Sequence, residues 1–296
     1  MKKVVPYLIT LFICIVGAWI IIKGYPRLRP PESHYAIPRH IEYSFTLQNR
    51  TAHLVRQAEF WTYAPVRRTS AQQCINLEAS HPYKLISGHL GNQILHFTLH
   101  ELPPFSMRII TVKANLLLSD APIRVPLEDP NSYLRPEKYC ESEDPAIARL
   151  ASRLKAPDPI RTVENIFQWV ADHIGYTGYV RNPRGALFAL KSKKGDCTEF
   201  MYLFTALCRA NKIPARGVAG YIVRRNTILK PHGFHNWAEF YEEGAWKLAD
   251  PQNRVFMKDH SRYVATRIIG GSRTTLMRDF ERFRLQGEGL RARMNS

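Results

Sequence analysis

Residues 194–200 read KGDCTEF, and the spacing of Asp196 and Glu199 within them marks the start of a helix. An aspartate that caps the first backbone N–H groups, followed three residues on by a glutamate that reaches back to the cap's own N–H, is a capping box. Cys197 then falls in the first helical turn. The unpaired N–H groups and the positive end of the helix dipole favour a thiolate there, and thiolate is the nucleophilic form. The same N–H groups can hold the oxyanion of a tetrahedral intermediate. The commoner use of a free cysteine, as a small buried apolar group, suits Cys208 on the same helix.

Downstream, residues 234–250 read FHNWAEFYEEGAWKLAD. On a strand, His235, Trp237, Glu239 and Tyr241 share one face, while Ala238 and Phe240 take the other. If Glu243 and Gly244 form a two-residue hairpin loop, Glu242 pairs with Ala245 and Asp250 falls opposite Trp237. Asp250 is then a diagonal neighbour of His235 on the same face, roughly 5 to 8 Å away between backbones. A three-residue loop shifts the register by one and turns Asp250 away. Taken singly, a strand histidine is an ordinary core or surface group, and an aspartate before Pro251 is an ordinary turn former. With Cys197 they supply the nucleophile, base and orienting acid of acyl transfer. A Cys-His-Asp zinc site is the other use of these residues, but no fourth ligand has a matching spacing, and neither metal nor cofactor is expected.

GDCTEF at 195–200, HNWAEFY at 235–241 and ADPQ at 249–252, with ALCRANKIPARGVAGY at 206–221 between them, resemble the core of the transglutaminase-like superfamily in its bacterial cysteine protease or amidase form. The likeness is close over about residues 134–256. It implies an α+β fold of papain-like type, with a nucleophile helix packed on an antiparallel sheet. It makes Cys197 the nucleophile, His235 the general base and acid, and Asp250 the group that orients the imidazolium. For the oxyanion, the backbone N–H of Cys197 is joined by Tyr176, Tyr179 and Asn182 as side-chain candidates. The implied chemistry is a thioester formed on a protein or peptide amide. Water as acceptor gives a peptidase or amidase, the first reading. A primary amine gives a cross-linking transglutaminase, and a non-catalytic envelope binding or assembly module is a third reading of the same fold.

Upstream of the nucleophile the apolar period is helical. Asp144-Pro145 and Asp158-Pro159 each pair an N-cap aspartate with a proline at the first helical position. The stripes Ile147, Leu150, Ala151, Leu154 and Val163, Ile166, Phe167, Val170, Ile174 are core faces. Farther upstream the period is two: Ile41, Tyr43, Phe45 and Leu47 alternate with polar residues, as in a half-buried strand. Leu54–Tyr63, Tyr83–Ile86, Gln93–Leu99 and Phe105–Leu117 read as further strands. Together they predict a β-sandwich for support or substrate docking, similar to the N-terminal domain of bacterial superfamily members.

At the N-terminus, Lys2 and Lys3 precede nineteen uncharged residues from Val4 to Ile22. At ~1.5 Å per residue this nearly spans a ~30 Å hydrocarbon core. It reads as a transmembrane anchor, with a cleaved signal segment as the competing reading. The chain thus divides into 1–23, anchor or signal; 24–37, a Pro-rich linker; 38–127, the β-sandwich domain; 128–258, the catalytic domain; and 259–296, a basic C-terminal extension packed on the catalytic domain. The expected location is the membrane, with the catalytic body in the periplasm or otherwise outside the cytoplasm. Of the five cysteines, Cys74 and Cys140 are the pair that could form a disulfide there, a pairing the sequence leaves open.

Composition sets the outer bounds. A length of 296 residues suits about two domains. With 45% hydrophobic and 23% charged residues the chain is not a disordered or low-complexity protein. Forty-two Lys and Arg against 25 Asp and Glu leave a net charge of +17, which favours anionic lipid, envelope polymer or acidic protein as a partner. No zinc-finger spacing, phosphate-binding glycine loop or aromatic-basic RNA signature accompanies that charge, so nucleic acid is not an expected partner.

Overall fold

The computed structural model describes residues 34–270, 277 and 281–296. The expected anchor and most of the Pro-rich linker lie outside the described residues, as do Arg273, Arg278 and Phe280 of the basic extension. Among the described residues no helix is long and apolar enough to cross a membrane. Residues 34–296 form one compact unit.

β1 (Ile37–Asn49) carries the alternation seen in the sequence: Ile41, Tyr43, Phe45 and Leu47 are at most 3% exposed. β2 (Val55–Ala64), β3 (Gln72–Ala79), β4 (Lys84–Ser87), β5 (Gln93–Leu102) and β6 (Met107–Leu118) follow. β3 is absent from the sequence-based expectation because a bulge between Cys74 and Asn76 breaks its period of two. β1, β6 and β3 belong to one sheet, and β2, β5 and β4 to a second. Their apolar faces enclose one core containing Phe45, Phe60, Phe97, Val112 and Leu116. Each such side chain contributes roughly 1.5 to 3 kcal/mol by burial, which holds the two sheets face to face.

Two helices begin where the Asp-Pro pairs place them. Asp144 accepts from the Ala146 N–H at 2.7 Å and opens α1 (Pro145–Leu154). Asp158 accepts from the Ile160 N–H at 3.2 Å and opens α2 (Pro159–His173). Then come β7 (Gly175–Tyr176), α3 (Ala186–Ser192), β8 (Lys194–Gly195) and α4 (Cys197–Ala210). Every residue of α4 from Thr198 to Arg209 is buried, because α1, α2 and α3 surround it on one side and a sheet covers the other.

That sheet contains β9 (Ala215–Ile222), β11 (Phe234–Glu242), β12 (Ala245–Asp250), β13 (Val255–Phe256) and β14 (Tyr263–Ile269) in the order β13-β12-β11-β9-β14, all antiparallel. The short β10 (Thr227–Ile228) leaves it to pair with β1. Ala215, Ala219, Ala238, Phe240 and Ala249 face α4 and share its core. Mostly small side chains let the helix approach closely, with Phe240 filling the gap beside Phe204.

Two expectations need correction. The C-terminal extension does not simply pack on the catalytic domain. β14 is an integral strand of the sheet that carries His235 and Asp250, while β15 (Phe283–Gln286) pairs with β2 and β16 (Leu290–Met294) pairs with β1. Alternating apolar residues, Phe283 and Leu285 in one strand and Leu290, Ala292 and Met294 in the other, find their burial against the sandwich core. Cys74 and Cys140 are both free, not bridged. Cys74 sits against the sandwich core and Cys140 inside the helix-and-sheet core, so they serve separate apolar interiors. Burial pushes the Cys140 thiol up to about 12 and also raises that of Cys208, which leaves both as inert core groups.

Candidate active site

The capping box is formed as read. Asp196 Oδ1 accepts from the Thr198 N–H at 2.8 Å, and the Asp196 N–H donates to Glu199 Oε2 at 3.0 Å. Glu199 is buried but not isolated: Arg184 donates to it from Nη2 at 2.8 Å and from its backbone N–H at 2.9 Å. Gly195 has no alternative, since a β-carbon there would stand 2.3 Å from that of Glu199. Asp196 Oδ2 also accepts from the Val180 N–H at 2.9 Å, tying the 177–185 loop to the helix start. The result is a half-buried Cys197 at the first position of α4, exposed to the dipole and to reagents.

The hairpin register is the one that brings His235 and Asp250 together. Glu242 pairs with Ala245 and Ala238 with Ala249. Glu243 and Gly244 turn at φ 51° and 83°, the left-handed pair that a tight two-residue loop demands. His235 Nε2 meets Asp250 Oδ2 at 2.7 Å. The Cys197 side chain lies near enough to the imidazole to act on its protonation. With Nε2 engaged by the carboxylate, Nδ1 is the ring nitrogen left to the sulfur.

The electrostatics suit a charged pair. Burial acts to lower the His235 pKa, but hydrogen bonds and charge from Asp250 and Cys197 outweigh it and push it up to about 9. Burial acts to raise the Asp250 pKa, and the His235 hydrogen bond and charge, with donors Asn253 and Tyr263, bring it below its ordinary value. At 1% exposure the Asp250 carboxylate depends on these donors rather than on water.

Sequence reasoning missed three supporting residues. Asn253 donates from Nδ2 to Asp250 Oδ2 at 2.8 Å and lies 3.1 Å from His235 Nε2. Its signal was present as a polar side chain three residues past an Asp-Pro turn. Tyr263 donates its hydroxyl to the same Asp250 oxygen at 2.9 Å, and nothing local in the sequence announces it. Asn236 donates to Thr198 Oγ1 at 2.9 Å, stapling the strand that bears His235 to the start of α4. Among the oxyanion candidates, Tyr176 pairs with Gly195 across two short parallel strands beside Cys197. Tyr179 and Asn182 lie on the exposed loop that follows. Among the described residues no group of three or more His, Cys, Asp and Glu side chains is arranged to hold a metal ion.

Residues 148–251 match the family model of the Transglutaminase-like superfamily, a span that begins in α1 and ends just past Asp250. The likeness to this superfamily thus lies in the part of the chain that carries Cys197, His235 and Asp250. A candidate cysteine protease from Cytophaga hutchinsonii shares the fold over 89% of this chain and 91% of its own, at 20% identity and a TM-score of 0.63. The periplasmic domain of TgpA from Pseudomonas aeruginosa is similar at 19% identity over 70% of this chain and 92% of that one, with a TM-score of 0.37. Red sea bream transglutaminase is similar at 14% identity over 75% of this chain and 49% of its own, with a TM-score of 0.31. No curated protein matches the chain.

Proposed function

We propose that the chain is a thiol acyl-transfer enzyme, a cysteine peptidase or amidase acting on protein or peptide amides through Cys197, His235 and Asp250. The observation that carries this reading is the buried imidazole bonded to the Asp250 carboxylate at 2.7 Å and lying near the thiol at the start of α4. The Cys197 thiolate attacks the amide carbonyl, and the backbone N–H groups at the helix start receive the oxyanion. As the intermediate collapses, the His235 imidazolium protonates the departing amine and a thioester remains on Cys197. Neutral His235 then takes a proton from water, which attacks the thioester, and collapse releases the acid and restores the thiolate and imidazolium. Asp250 stabilises the imidazolium and fixes its ring plane throughout.

A primary amine replacing that water makes the same site a transglutaminase, so the test runs peptide and protein substrates with and without added amine. Amide cleavage without amine is expected, and Cys197→Ala should lower it by roughly a thousandfold or more. Unchanged turnover in Cys197→Ala refutes the assignment. Retention of the cellular phenotype by that variant favours a binding module. The uncharged run from Val4 to Ile22 and the charge of +17 support tethering to a membrane with the body in the cell envelope. Release of the chain from isolated membranes by high salt alone counts against tethering.

A further inference from the structure

We propose that Tyr263 is a positioning residue for the Cys197–His235–Asp250 site, through which the β-sandwich holds the Asp250 carboxylate in place. The inference rests on the acyl-transfer reading above. Tyr263 opens β14, twelve residues beyond the end of the superfamily match at residue 251. Its hydroxyl donates to Asp250 Oδ2 at 2.9 Å, the oxygen that also meets His235 Nε2 at 2.7 Å and Asn253 Nδ2 at 2.8 Å. Three donors around one oxygen fix the rotation of the carboxylate, and with it the plane of the imidazole. Because the carboxylate is buried, no solvent stands ready to replace a donor that is lost. Burial and the neighbouring Asp250 charge raise the tyrosine pKa well above its ordinary value, so the hydroxyl remains a donor at any working pH.

The ring has a second contact with the site. It stands edge-on to Trp237 at 5.1 Å between centroids, and Trp237 lies nearly parallel to His235 at 6.4 Å. Substituting phenylalanine therefore removes the hydroxyl while keeping that packing.

β14 is in turn fixed from the sandwich side. The Val66 N–H donates to Ala265 O at 2.9 Å. The Gln72 side-chain amide accepts from Ala265 N–H at 2.9 Å and donates to Ala265 O at 3.0 Å. The Asn92 amide accepts from Ile268 N–H at 2.7 Å and donates to Ile268 O at 2.9 Å. Each amide presents a donor and an acceptor side by side, as a neighbouring strand would, and so satisfies an edge of β14 that lacks a strand partner at these residues. Gln72 lies on β3 and Asn92 immediately before β5, so the strand bearing Tyr263 is registered against the sandwich.

The test is a double-mutant cycle on Cys197 alkylation by iodoacetamide at pH 7 in the full-length chain. Peptide mass spectrometry resolves Cys197 from Cys14, Cys74, Cys140 and Cys208. Wild type, Tyr263→Phe, Asp250→Asn and the double variant are compared, with His235→Ala as control and melting curves to establish folding. Tyr263→Phe is expected to slow alkylation by roughly threefold or more, and to have no further effect when Asp250 is already asparagine. An equal slowing in both backgrounds overturns the proposal, because it marks a packing role independent of the carboxylate. So does a Tyr263→Phe rate within about twofold of wild type. If Tyr263→Phe does not fold, the same cycle with Gln72→Met decides: slowing that depends on Asp250 supports the link from the sandwich, and slowing that does not, or none, refutes it. If His235→Ala and Asp250→Asn both leave the rate unchanged, the acyl-transfer reading itself fails. If they slow it and Tyr263→Phe does not, only this proposal falls.

Discussion

At the scale of the residue, the His235 imidazole decides how the site responds to pH. Its native pKa of about 9 lies above the free value of ~6.5. The pair's contribution to stability is therefore complete below ~6.5 and is lost as pH rises through about 9. Asp250 is shifted down, so its share is present above the free carboxylate value and is lost as pH falls through the lowered native one. The difference in melting temperature between wild type and His235→Gln, followed from pH ~6 to ~10, should shrink across the upper part of that range. On the acyl-transfer reading proposed above, activity carries the same signature. An imidazolium needed to protonate the leaving amine should give kcat/KM an alkaline limb near 9, measurable once a substrate is in hand. A limb near ~6.5 would mean that the carboxylate does not support the ring as the geometry requires.

At the scale of the element, the start of α4 joins folding to reactivity. Asp196 holds the Thr198 and Val180 N–H groups, and Glu199 holds the Asp196 N–H. Asp196→Ala is expected to cost about 1 to 2 kcal/mol in denaturant unfolding. It should also slow Cys197 alkylation, since the thiol would no longer sit on an ordered helix terminus. Glu199 and the Asp196 cap were legible in the sequence because a capping box is a local pattern with a fixed spacing. The hairpin register was legible only in part: Gly244 accepts a positive φ readily but Glu243 does not, so a three-residue loop that turns Asp250 away stayed open until the fold chose the two-residue one. β3 was not legible, because its bulge erases the alternation by which a strand is recognised.

At the scale of the whole molecule, the C-terminal residues tie the two halves together. β14 extends the catalytic sheet, while β15 and β16 extend the two sheets of the sandwich. Tyr221 and Val264 of the catalytic sheet lie in the same apolar core as Phe45 and Phe97 of the sandwich. Ending the chain after Gly270 removes β15 and β16, uncovering Phe45 and Phe60 where Phe283 packs on them. The truncated chain is expected to unfold at a lower denaturant concentration and to expose apolar surface, as seen by dye binding. A midpoint unchanged from the full chain would show that the two strands only decorate the sandwich.

The sequence by itself determined what depends on near neighbours: the capped helix bearing Cys197, the Asp-Pro starts of α1 and α2, and the alternation of β1, with the hairpin narrowed to two registers. These follow from hydrogen bonds and side-chain periods spanning a few residues, so local order suffices to read them. The tertiary structure alone decided that Cys74 and Cys140 stay apart, that the C-terminal strands join three sheets, and that Tyr263 and Asn253 complete the shell of Asp250. Strand partners distant in sequence are chosen by which apolar faces can be buried together. A carboxylate taken out of water accepts whichever donors that packing delivers.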